Sequence, residues 1–131
     1  MKVLALDYGP ARTGVAVSDP TGTVARPLAV VERAGGEVGR RRILELARSE
    51  QVERIVVGLP LTLRGERGAQ AQETEAFVAA LRAESGLPVE TFDERFTTRL
   101  ARRGHPDAPE DAAAAAHLLT DYLSWTSARR A

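Results

Sequence analysis

The sequence predicts an α/β fold, a five-stranded mixed sheet with three antiparallel strands followed by two parallel ones, flanked by helices. Three observations carry that prediction. Apolar, β-favouring runs at 2–7, 14–19 and 23–31 are joined by short turns, the pattern of an antiparallel meander. Two further apolar runs, 54–60 and 88–92, each follow a helical segment, and strand–helix–strand order implies crossovers and parallel pairing. A length of 131 residues with 44% hydrophobic and 27% charged residues suits one domain with a substantial core.

The first strand closes on Asp7 in the run Leu4-Ala5-Leu6-Asp7-Tyr8-Gly9-Pro10-Ala11-Arg12-Thr13-Gly14-Val15-Ala16-Val17, whose glycine-bearing turn reads as a β-hairpin. The first helix spans about 37–50, with Val38, Ile43, Leu46 and Ala47 as its apolar stripe. The fourth strand, Ile55-Val56-Val57-Gly58-Leu59-Pro60-Leu61, is a buried run ending in a bend, with the loop Thr62 to Gly68 beyond it. A second helix follows at 69–85, inward through Phe77, Ala80 and Leu81. After the fifth strand, Val89-Glu90-Thr91-Phe92, a short helix is expected at 97–103, N-capped by Thr97 or Thr98. A last helix covers 109–125, opened by a capping box in Asp107-Ala108-Pro109-Glu110.

Several functions are excluded at once. There is no cysteine, hence no disulfide, thiolate metal site or cysteine nucleophile. No apolar run approaches a membrane span, and Met1-Lys2-Val3 leads into a strand, so a cytoplasmic protein is expected. A net charge of zero argues against a tight non-specific nucleic-acid binder. The cations are nonetheless almost all arginine, whose planar fork suits phosphate. Arg12 in the hairpin, Arg64 and Arg67 in the 62–68 loop, and Arg99, Arg102 and Arg103 on one helix face are the candidate nucleic-acid contacts. Arg40, Arg41 and Arg42 read as a solvated face, and His105 and His117 have no partner at ligand spacing.

Ligands of such sheets collect at the carboxyl ends of the strands, and three acidic candidates lie there. Asp7 ends the first strand, at a lip where a carboxylate is costly unless positive charge faces it. Asp93 and Glu94 follow the fifth strand; neighbours on a strand exit point opposite ways, so only one of them should face Asp7. Asp111 stands with Ala115, Leu118, Leu119, Tyr122 and Leu123 at helical spacing, on the inward stripe of the last helix. The alanines 112–116 permit that helix to approach the sheet closely. Three carboxylates converging on one edge would repel unless they bind cations. Two Mg²⁺ or Mn²⁺ ions about 3.5–4 Å apart would activate a water and neutralise a leaving oxygen, chemistry that hydrolyses phosphodiesters.

In this order the residues resemble the YqgF (RuvX) family of RNase H-like nucleases. Asp7-Tyr8-Gly9-x-x-Arg12-x-Gly14-Val15-Ala16 and Val57-Gly58-Leu59-Pro60-Leu61 are similar to its front half. Asp93-Glu94-Arg95-Phe96-Thr97-Thr98 resembles its signature after the fifth strand, and Asp111-x-x-Ala114-Ala115-x-x-Leu118-Leu119-x-x-Tyr122-Leu123 its closing helix. The match covers nearly the whole chain. It implies an RNase H-like fold and a catalytic, metal-holding site of Asp7, Glu94 and Asp111, supported by Asp93, Arg95, Gly9 and Gly14, with Mg²⁺ or Mn²⁺ as cofactor. Two departures from the pattern are Ala11, where the family often has a basic residue, and a short, lysine-poor connection from Thr98 to Asp111.

The resemblance implies a nuclease maturing the 5′ end of pre-16S ribosomal RNA, or a Holliday junction resolvase, with structured RNA or a four-way DNA junction as partner and a monomer or homodimer as the working form. A resolvase needs a two-fold dimer, for which no heptad seam or apolar patch speaks. Two other classes stand beside these. One is an ATP-holding domain with an Asp-x-Gly hairpin, of which enzymes clamp nucleotide between two copies. The other is a non-catalytic RNA- or ribosome-binding module.

Overall fold

The computed structural model describes residues 1–59, 68–93 and 110–130. The elements run β1 (Val3–Asp7), β2 (Arg12–Ser18), β3 (Ala25–Glu32), α1 (Glu37–Ser49), β4 (Arg54–Leu59), α2 (Ala69–Ser85), β5 (Val89–Asp93) and α3 (Glu110–Arg130). The strands form one sheet in the order β3-β2-β1-β4-β5. The β1/β2 and β2/β3 pairs are antiparallel, and β1/β4 and β4/β5 are parallel. This is the mixed sheet that the sequence predicts.

β1 lies at the centre, and Val3, Leu4, Ala5 and Leu6 are all at most 2% exposed. A strand covered on both faces must be apolar throughout, and this one is until Asp7. Alternation then divides the core. Leu4, Leu6, Val15, Val17, Ile55 and Val57 pack with α1 and α2 residues such as Ile43, Phe77 and Leu81. Val3, Ala5, Ala16, Val56 and Phe92 pack with Ala115, Ala116, Leu118, Leu119 and Tyr122 of α3. At one edge, β3 carries Pro27, which has no N–H to donate, next to an irregularity at Val15/Ala16.

Each helix is bounded by local chemistry. Gly36 and Gly68 are the extended N-cap residues of α1 and α2, and Gly86 ends α2 in the left-handed region at φ 69°, where a side chain would be strained. α3 runs past the expected end because Ser124-Trp125-Thr126-Ser127 contains no breaker; Thr126 returns its hydroxyl to the Tyr122 and Leu123 carbonyls.

Two expectations for α1 are corrected. Val38 is 77% exposed, and Gly39 takes the inward position instead, packed on the Arg33–Ala34 backbone where any Cβ would collide. The buried set is therefore Gly39, Ile43, Leu46 and Ala47, one residue out of phase with Val38. Arg40 is not part of a solvated face, since it bonds Glu84 of α2 at 2.9 Å; Arg41 and Arg42 do pair locally, with Glu37 and Glu45.

Candidate functional site

Parallel pairing brings the carboxyl ends of β1, β4 and β5 to one edge: Leu6 pairs Val57, Gly58 pairs Phe92, and Leu59 pairs Asp93. β1 alternates, so Asp7 shares a face with Val3 and Ala5, the face that α3 covers. Across the hairpin Asp7 pairs with Gly14, which is on the same face.

Gly14 is where α3 meets the sheet. A Cβ built there would overlap the Asp111 carbonyl and crowd the Ala112 amide. Only glycine leaves room for the first turn of α3 at this point. The next turns, Ala112, Ala113, Ala115 and Ala116, are each at most 4% exposed, so short side chains keep the helix close. Two carboxylate-bearing residues 104 positions apart in sequence thus flank one glycine, Asp7 as its strand partner and Asp111 through backbone contact.

The hairpin turn is as tightly made. A Cβ on Gly9 would stand 2.6 Å from the Arg12 carbonyl oxygen. The Gly9 amide faces the Thr13 hydroxyl at 3.4 Å, and Thr13 is fully buried. Arg12, the first residue of β2, reaches out of the turn to Asp111, with Nε 3.3 Å from Oδ2. The arginine side chain is 66% exposed and the carboxylate 35%, so the pair is worth no more than about 0–1 kcal/mol in water. It nonetheless shows Asp111 gathering positive charge at this corner.

On β5, alternation puts Glu90 and Phe92 on the α3 face. Phe92 sits edge-on to Tyr122 and Trp125, with ring centroids 5.7 Å apart in both pairs. Asp93 falls on the opposite face with Val89. Glu94, Arg95, Arg64, Arg67, Arg99, Arg102 and Arg103 lie outside the described residues, as do the expected 97–103 helix and Asp107.

Among the described residues no three metal-capable side chains cluster. The donor set at hand consists of hard carboxylate oxygens, which suit Mg²⁺ or Mn²⁺ rather than a soft metal. The Arg12 guanidinium beside Asp111 shows that this carboxylate takes a positive partner, and its oxygen donors are of the kind such an ion uses. Sequence reasoning missed the Arg12–Asp111 pair, since nothing in either local pattern relates positions 99 residues apart. It also missed the use of Gly14 as the seat of α3, although a glycine within a β-rich run is a sign of close approach.

The fold defines a class. Thermus thermophilus RuvC bound to a Holliday junction superposes with a TM-score of 0.67 at 22% identity, covering 98% of this chain and 96% of that one. The fowlpox virus Holliday junction resolvase superposes at 0.56 with 12% identity, covering 95% and 99%. The fold is RNase H-like. Over residues 1–125 the chain matches the model of the RuvX family, described as Holliday junction resolvase, and it belongs to that family. A protein of Chloroflexus aurantiacus named "Putative pre-16S rRNA nuclease" is 40% identical over 130 residues, 92% of this chain and 85% of its own. One of the same name from a Roseiflexus species is 42% identical over 131 residues, 93% of each. No helix among the described residues is long and apolar enough to cross a membrane.

Proposed function

We propose that this chain is a divalent-metal-dependent nuclease that hydrolyses phosphodiester bonds of structured nucleic acid, with the 5′ end of pre-16S ribosomal RNA as its substrate. The observation that supports this most is the meeting of Asp7 and Asp111 about Gly14, at the sheet edge where β1, β4 and β5 all end. Family membership and the names of the relatives support the nuclease class.

Asp7 holds the central position and Asp111 comes down from α3 beside it. Glu94 is the third acid of the proposal. The alternation of β5 favours it over Asp93, which shares the far face with Val89. Mg²⁺ or Mn²⁺, when bound, supplies charge neutralisation and water activation for an in-line displacement. The carboxylates orient that ion, and the buried alanine-rich turns of α3 fix Asp111 against the sheet. Arg12 lies within reach of both the acid and an incoming phosphate, and Arg64, Arg67, Arg99, Arg102 and Arg103 add to the grip. Gly9 shapes the turn and Arg95 stands beside Glu94 in sequence.

A second reading is favoured by the description of the family model, namely resolution of four-way DNA junctions. One experiment separates the two. Purified protein is incubated with a ribosomal RNA precursor and with a four-way junction, each with and without Mg²⁺ or Mn²⁺, beside an Asp7→Asn variant. Metal-dependent cleavage of the RNA that is lost in the variant, with its fold intact, supports the proposal. Paired symmetric cuts in the junction alone support resolution. Equal cleavage by wild type and variant overturns both readings.

A further inference from the structure

The chain reverses its facing at the acid. Asp7 points to the α3 side of the sheet, and the next residue, Tyr8, packs with the core on the α1/α2 side. Here lies a cavity of about 500 Å³, within the range of small-molecule sites. Its walls are the hairpin turn (Tyr8, Pro10), the loop between β3 and α1 (Arg33, Gly35), and α2 (Glu73, Phe77).

The make-up of these walls is selective. Tyr8 and Phe77 stack with centroids 4.3 Å apart and 21° between planes, and Phe77 is only 4% exposed. The platform is therefore anchored from below and half-buried above. Gly35 lies so near that a Cβ on it would stand 2.6 Å from the Tyr8 hydroxyl, which keeps that wall bare backbone. The Tyr8 phenol is held above its ordinary value by burial and then by the Glu73 carboxylate, which puts Glu73 in electrostatic reach of the ring.

Arg33 is the cation this cavity has to offer. Its neighbour Arg40 is committed to Glu84 at 2.9 Å, whereas Arg33 has no salt-bridge partner among the described residues. Arg33 also holds φ at 49°, a left-handed conformation that is costly for any residue but glycine, asparagine or aspartate. Its amide donates to the Ala11 carbonyl at 3.0 Å, and its own carbonyl accepts from the Gly36 amide at 3.0 Å. The backbone thus fixes this arginine beside the hairpin turn that bears Asp7.

We propose that this cavity is a subsite for one unpaired nucleotide of the substrate strand, its base against the Tyr8–Phe77 platform, an amino group of the base donating to Glu73, and its phosphate at the Arg33 guanidinium. The ligand class rests on the nuclease reading above. Aromatic faces give sequence-tolerant stacking, and guanidinium and phosphate pair in a planar fork. Since Asp7 and Tyr8 are consecutive, a strand crossing this edge meets the acid on one side and the platform on the other. An unpaired nucleotide next to the cut would separate processed single-strand junctions from uninterrupted duplex.

The test uses the full chain in EDTA, so that no strand is cut, with ¹⁵N-resolved NMR titrations of guanosine monophosphate, adenosine monophosphate and inorganic phosphate. The expected result is saturable shifts of the Gly35 and Gly36 amides with a nucleotide, and about tenfold weaker binding of phosphate alone, the loss of one stacking contact. Arg33→Gly should weaken nucleotide binding about tenfold or more while keeping or raising the melting temperature, because glycine adopts φ 49° without strain. Tyr8→Leu should weaken it comparably with the fold retained. No saturable shift at Gly35 and Gly36, or an Arg33→Gly variant that binds as wild type does, overturns the subsite. Asp7→Asn keeps the two proposals apart. It should bind nucleotide unchanged while losing cleavage, whereas a wild-type protein that binds nucleotide yet cleaves nothing refutes the nuclease reading alone.

Discussion

Gly14 stands between Asp7 and Asp111, paired with the first across the hairpin and pressed against the backbone of the second. The first turn of α3 can settle on the sheet only because position 14 has no side chain. Gly14→Ala would put a methyl group into the Asp111 carbonyl, and neither main chain can yield without moving the helix. Overpacking of this kind costs about 1–3 kcal/mol, and here both partners are backbone, so the upper half of that range is expected. Urea titration should show a lower midpoint with an unchanged slope. Gly68→Ala serves as the steric control, since among the described residues a Cβ there meets nothing within 4 Å. Cleavage should fall in the first variant and not in the second.

The corner acid and its cation make a second prediction. Asp111→Asn keeps the size of the side chain and removes the charge that holds Arg12 at 3.3 Å. Because the pair is largely exposed, thermal stability should change by less than about 1 kcal/mol. Metal-dependent cleavage should nevertheless be abolished, and Mn²⁺ affinity, followed by electron paramagnetic resonance of the free ion, should drop. Arg12→Gln separates charge from position. It should leave stability nearly unchanged and tighten Mn²⁺ binding, because the acid no longer has a competing counter-ion.

Much of this was legible in the sequence, and the parts that were not share a cause. Strand alternation and apolar runs gave all five strands within one or two residues, and their order gave the mixed sheet. These are local signals that packing does not contradict. Val38 was misplaced because hydrophobicity outranks glycine in any apolar stripe. Packing reversed that order, since only Gly39 could lie on the Arg33–Ala34 backbone. Asp7 and Asp111 could be picked by element ends and helical facing, yet their common contact with Gly14 is tertiary. The Arg12–Asp111 and Arg40–Glu84 pairs join elements far apart in sequence and left no periodic trace. The Tyr8 cavity was missed for a similar reason, as its walls come from three segments far apart in sequence and no local pattern relates them.

On the α3 face, Arg54, Glu90 and Tyr122 form a polar knot within an apolar surround. The Arg54 guanidinium lies 3.1 Å from Glu90 Oε1 and 3.2 Å from the Tyr122 hydroxyl, which in turn donates to Glu90. Tyr122 is only 2% exposed and its phenol is raised above its ordinary value, chiefly by burial and then by the hydrogen bond to Glu90. Arg54 Nε is buried without a hydrogen bond among the described residues, so the cluster has little slack. Tyr122→Phe removes one donor and leaves Glu90 short of a partner, at a cost of about 1–3 kcal/mol. Tyr122→Ala also opens a cavity beside Phe92 and should cost about 3–5 kcal/mol. Chemical denaturation of the two variants would show both steps, with the second larger.

The turn between β2 and β3 depends on pH through Asp19. Its carboxylate accepts from the Thr21 hydroxyl and from the Thr23 and Val24 amides, the latter two at 2.8 Å each. These bonds, the hydroxyl first, hold the carboxyl well below the ordinary aspartate value of 3.8. An acid whose folded value is depressed stabilises the protein fully above its unfolded value and loses that contribution as pH falls toward the folded one. Stability should therefore be flat in this respect above about pH 5 and decline below about pH 4. Asp19→Asn retains an acceptor oxygen without the charge, so its melting temperature should start lower at neutral pH and fall less steeply on acidification. Melting curves of the two proteins from pH 7 to about pH 2.5 should converge. Parallel curves would show that the loss on acidification comes from other carboxylates.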